Sequence, residues 1–73
     1  MRLSELKTGA RGKIKGFESI ELQLKLMEMG CLPGEQITVD QIAPLKDPIS
    51  ILVSGYRLSL RLSEAQNVIV EEI

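Results

Sequence analysis

Reactive side chains are sparse in this chain. It has no histidine, so the commonest general base and the commonest metal ligand are both missing. Its single cysteine, Cys31, has no histidine to activate it, no second thiol to share a metal and no partner for an internal disulfide. Cys31 therefore reads as a small hydrophobe beside a helix end. The carboxylates of Glu18, Glu21 and Glu28 lie on or near the same helix and read as its solvated edge, because a carboxylate pair needs burial to acquire an unusual pKa. Gly30 and Gly34 lack the lysine and the spacing of a phosphate loop. No catalytic residues, no metal ligands and no cofactor are expected. The basic residues Lys7, Arg11, Lys13 and Lys15 gather early, and Arg57 and Arg61 share one face of a later strand. If those strands are neighbours, Lys13, Lys15, Arg57 and Arg61 form a basic stripe that suits a small nucleic-acid-binding barrel. The stacking aromatics of single-strand binders are missing, so a solvated face is the simpler reading and no nucleic acid is expected.

The stretch around which these residues are arranged is Ser19 to Gly34, SIELQLKLMEMGCLPG. Ser19 is a good N-cap, Glu21 places a negative charge in the first turn, and Gly30 falls where a helix must end. Pro33 and Gly34 prevent it from restarting. Two apolar stripes run along this helix: Ile20, Leu24 and Met27 on one side, Leu22, Leu26 and Met29 on nearly the opposite one. A small core can take only one of them. Either the N-terminal Leu3 and Leu6 cover the second stripe, or it is a docking surface for another protein. Ile20 lies nearer the entry to the rest of the fold and is expected to face inward. Leu22, Leu26 and Met29, extended by Cys31 and Leu32 in the following turn, are then the expected protein-binding surface. Methionine suits such a surface because its thioether adapts to a partner.

At 73 residues the chain, 1–73, makes one small domain. Hydrophobic residues make up 44% of it but only one is Phe and one Tyr, so the core must be aliphatic. The net charge of −1 argues for no strongly charged partner. No apolar run approaches the roughly 20 residues of a membrane span, and the opening MRLSELKTG does not read as a signal peptide. The single cysteine fits a reducing, cytoplasmic location. Ala10 to Glu18 is a weak strand that its glycines bend. After Gly34 the pattern alternates through QITVDQI, then through ISILV, Ser54-Gly55 as a tight hairpin turn, and Tyr56 to Leu62. Ser63 is expected to cap a single helical turn before a last strand from Asn67 to Ile73. The pattern predicts a mainly β fold with one helix: a partly open barrel of about five strands, with the helix inserted between strands 1 and 2.

Three stretches, LSELKTG at Leu3–Gly9, LMEMGCLPGEQITV at Leu26–Val39 and APLKDPISILVSGYRLSLRLSEAQNVIVE at Ala43–Glu71, together resemble the ferrous iron transport protein A (FeoA) family. The G-x-x-P-G turn, the D-P-I, the G-Y-R-L-S-L-R and the short S-E-A turn occur in family order and span nearly the whole chain. The same module is similar to the C-terminal SH3-like domain of iron- and manganese-dependent repressors, whose DNA-binding helices and metal ligands have no counterpart here. The resemblance implies a small SH3-like barrel in the bacterial cytoplasm, peripheral at the inner membrane through its partner. It implies an accessory or regulatory role in ferrous iron uptake through the cytosolic region of the FeoB transporter, and it leaves a homo-oligomer open. The family has no agreed catalytic or metal residues to carry over.

Overall fold

Alternation of apolar and polar residues sets the strands. In the computed structural model, which describes residues 1–73, a 3₁₀ turn at Leu3–Glu5 leads into β1 (Arg11–Phe17), α1 (Ile20–Glu28), β2 (Gln36–Ile42), β3 (Ile49–Val53), β4 (Tyr56–Leu60), the single-turn α2 (Leu62–Ala65) and β5 (Val68–Glu72). The five strands form one antiparallel sheet in the order β4-β3-β2-β1-β5. A register shift between Ile14 and Gly16 bends β1 where its glycines lie. Ile37 and Val39, then Ile49, Ile51 and Val53, point into the curl of the sheet, where Ile14, Leu60, Val68 and Val70 meet them. Leu3 and Leu6 join this aliphatic core, and the 3₁₀ turn packs against β5 and α2. Ser54 and Gly55 take the positive φ angles of a tight hairpin turn.

β4 is shorter than alternation predicts. It stops at Leu60, and Leu62 belongs to α2, because the Leu62 N–H donates to Asp47 Oδ1 at 3.0 Å and the chain turns away. The cap of α2 is Arg61, not Ser63: the Glu64 carboxylate accepts the Arg61 N–H at 2.8 Å.

Long-range contacts hold α1 against the barrel. At its start, Ser19 accepts the Glu21 N–H at 3.2 Å as predicted, while its own N–H donates to the buried Asn67 Oδ1 at 2.6 Å. In the middle, Lys25 Nζ lies 2.7 Å from Glu64 Oε2, whose side chain is only 7% exposed. At its end, Gly30 takes φ +110° and the Tyr56 hydroxyl donates to the Met29 carbonyl at 3.3 Å. A Cβ built on Gly30 would run into that hydroxyl, so glycine is required both for its backbone angle and for the close approach of Tyr56. Burial pushes the Glu64 carboxyl up. The Lys25 hydrogen bond, the Arg61 N–H and the two cationic charges outweigh it and hold Glu64 below the ordinary carboxylate range.

Two outcomes are expected. Gly30→Ala should lose roughly 1–2 kcal/mol from the backbone angle alone, and more from the clash with Tyr56. Its melting temperature should fall by about 4–8 °C per kcal/mol, and Tyr56→Phe should recover part of the loss in a double-mutant cycle read by thermal melting. Because the Glu64 pKa is lower folded than unfolded, its stabilising share is present above the unfolded value near 4.5 and disappears as pH falls through the folded one. Denaturant titrations should show Glu64→Gln less stable at neutral pH, with the difference from wild type closing as pH drops below about 4.5.

Candidate functional site

The two stripes of α1 face opposite to expectation. Leu26 is 0% exposed and sits in the core, with Leu22 and Met29 packed against the same cluster. Ile20 is 87% exposed and Leu24 67%, with Met27 half-buried beside them. The physical reason is where the helix is pinned. Asn67 fixes the first turn, Glu64 draws Lys25 to one flank, and Tyr56 holds the last turn, so the face carrying Leu22, Leu26 and Met29 rolls down onto the sheet. Leu26 and Met29 are therefore not the outward pair, and the exposed apolar stripe is Ile20-Leu24-Met27. Glu21 and Glu28, both exposed, border it along one side at helical spacing. The outward face is apolar with an acidic margin, which suits a partner surface that is apolar with a basic margin.

Cys31 is also fully buried and does not extend an outer surface. Burial, and then the neighbouring Glu64 charge, pushes its thiol up to about 11, so at neutral pH it is a protonated, unreactive core group. Its N–H donates to the Leu26 carbonyl at 3.0 Å and closes the helix end. Leu32 in the same turn stays 41% exposed. No three His, Cys, Asp or Glu side chains converge as a metal-binding group.

The basic stripe does not form. β1, which carries Lys13 and Lys15, is separated from β4 by β2 and β3. Lys15 lies 3.7 Å from Glu71, Arg57 Nε lies 3.1 Å from Asp40, and Arg61 has left the strand to begin α2. No helix of the chain is long and apolar enough to cross a membrane.

Sequence reasoning missed Ile20 and Leu24 as the exposed pair, and Asn67, Glu64 and Tyr56 as the groups that decide it. Only Glu64 carried a local signal, its position three residues after Arg61 being that of a capping glutamate.

Comparison with known proteins gives this geometry a context. The FeoA domain matches residues 1–72. The whole chain is 42% identical, over 74 aligned residues, to part of an Fe(2+) transport protein A/Fe(2+) transporter FeoB fusion protein from Porphyromonas gingivalis, of which it spans only 9%. The solution structure of a FeoA-like protein from Clostridium acetobutylicum superposes with a TM-score of 0.92 at 35% identity, covering all of this chain and 86% of that one. The crystal structure of Stenotrophomonas maltophilia FeoA with zinc, described as a prokaryotic SH3 domain protein, superposes at 0.83 and 28% identity, over 97% of this chain and 89% of that one. The barrel is thus SH3-like, as predicted. The fold recurs in a manganese-dependent transcriptional repressor, with a TM-score of 0.91 at 17% identity over all of this chain and 36% of that one, a likeness of fold alone. Over its whole length, in fold and in sequence, the chain belongs to the FeoA family of ferrous iron transport.

Proposed function

We propose that this domain is a non-catalytic accessory protein of ferrous iron uptake that binds the cytosolic, GTP-hydrolysing part of a FeoB-type transporter. The observation that carries this reading is the relative in which the same domain is joined to FeoB in one chain. A covalent link between two modules supplies a high effective concentration, which benefits a pair that already touches and works together. The outward stripe of α1 supports the same reading. Ile20 and Leu24 are large, exposed and adjacent, and single exposed leucines need no explanation, whereas an apolar stripe along a helix is the form that fits a groove on a partner. On this reading the domain works in the cytoplasm and reaches the membrane only through its partner.

Binding measured by calorimetry against a purified cytosolic region of FeoB tests both parts. Ile20→Glu and Leu24→Glu should melt like wild type, within about 0.5 kcal/mol as surface changes do, and should weaken binding by about tenfold or more, the size of an interface hot spot. Leu26→Glu should not fold, because it buries a charge without a partner. Absence of binding by the wild-type domain would remove the transporter reading. Unchanged binding by both stripe variants would remove the stripe.

A further inference from the structure

The two edges of the sheet are finished differently. β5 is sealed: the Val70 N–H donates to the Met1 carbonyl at 2.7 Å, the Met1 ammonium donates to the Val70 carbonyl at 3.1 Å, and Arg2 bridges to Ile69. β4 has no such cover. Its two-residue turn makes Val53 and Tyr56 a hydrogen-bonded pair, so Leu58 and Leu60 also bond to β3 while Arg57 and Ser59 direct their N–H and C=O groups away from it. No other part of the chain meets those four groups. Both residues are exposed. A bare, exposed edge of this kind is a template for another strand.

We propose that the β4 edge pairs antiparallel with the same edge of a second copy, centred on Leu58. The register follows by elimination. Only Arg57 and Ser59 offer outward groups, so the pairing must match odd residues with odd residues. Setting Arg57 against the second copy's Arg57 opposes like charges. Setting Ser59 against Ser59 brings Arg57 opposite Arg61, again like charges, and the Arg61 N–H is already held by Glu64. In the remaining register Arg57 faces Ser59 and Ser59 faces Arg57. Each pair exchanges two hydrogen bonds, four in all, and Leu58 meets Leu58 on the two-fold axis. The edge is its own complement, as a closed two-fold dimer requires. This pairing does not depend on the transporter reading, since it uses β4 rather than the outer face of α1.

Sedimentation velocity of the 73-residue chain, taken up to millimolar concentration, reads the association. The mass should rise from 8.1 kDa towards twice that value. Ser59→Pro is the selective variant: it deletes an outward N–H, leaves the β3–β4 ladder intact and is tolerated at a strand edge. It should keep the wild-type circular dichroism spectrum and stay monomeric. Amide exchange followed by NMR gives a second readout on unaltered protein. The Arg57 and Ser59 amides should gain about tenfold protection between dilute and concentrated samples, while those of Leu58 and Leu60 stay protected throughout. A wild type that remains monomeric at every concentration overturns the proposal. So does a folded Ser59→Pro that associates like wild type. Association abolished by Leu24→Glu, with Arg57 and Ser59 exchanging freely, also overturns it by placing the contact on α1.

Discussion

The burial of Leu26 is the contact on which the arrangement of this domain depends. The five-stranded sheet runs from β4 to β5 without closing on itself, and nine residues of helix contribute to covering what it leaves open. Fully burying one leucine contributes roughly 1.5–3 kcal/mol, a large fraction of what a domain of this length can hold in reserve. That gain requires the helix to lie at one rotation about its axis. Asn67, Glu64 and Tyr56 supply that rotation, each from a segment distant in sequence. Their polar contacts add little net energy, but another rotation would part Lys25 from the buried Glu64 carboxylate and the Tyr56 hydroxyl from the Met29 carbonyl. The aliphatic contact supplies stability, and the polar ones choose which face of α1 the solvent sees.

Strand positions were legible because period-two alternation is a local property. QITVDQI, ISILV and the Ser54-Gly55 turn carry their own boundaries, and the structure places them as read. The rotation of the helix was not legible. Both stripes repeat at i, i+4 and i+7 with residues of equal hydrophobicity, so nothing inside the helix distinguishes them. The deciding groups lie between 27 and 48 residues away in the chain. The end of β4 was missed for a related reason: Leu62 continues the alternation, yet its N–H is claimed by Asp47 fifteen residues earlier. The lone cysteine is a hydrophobe beside the helix end, as its isolation from other reactive groups implies, but it lies inside the core rather than on an outer surface because its burial follows from the same rotation.

The division of surfaces that results has a simple logic. The outer face of α1 is apolar with an acidic border, while the β4 edge offers backbone groups rather than side chains. One suits recognition by shape and the other by strand pairing, and neither occupies the other's area. A domain of this size that is joined to a much larger transporter in one relative can present both.

Tyr56 also gives the protein an optical property. It is the only tyrosine, and the chain contains no tryptophan. Emission excited at wavelengths longer than Phe17 absorbs therefore arises from the one phenol whose hydroxyl donates to the Met29 carbonyl at the end of the helix. Because a phenol's emission depends on what its hydroxyl is bonded to, lifting the helix from the barrel changes the intrinsic fluorescence directly. The fold thus carries a native probe of the contact that orients its outer face.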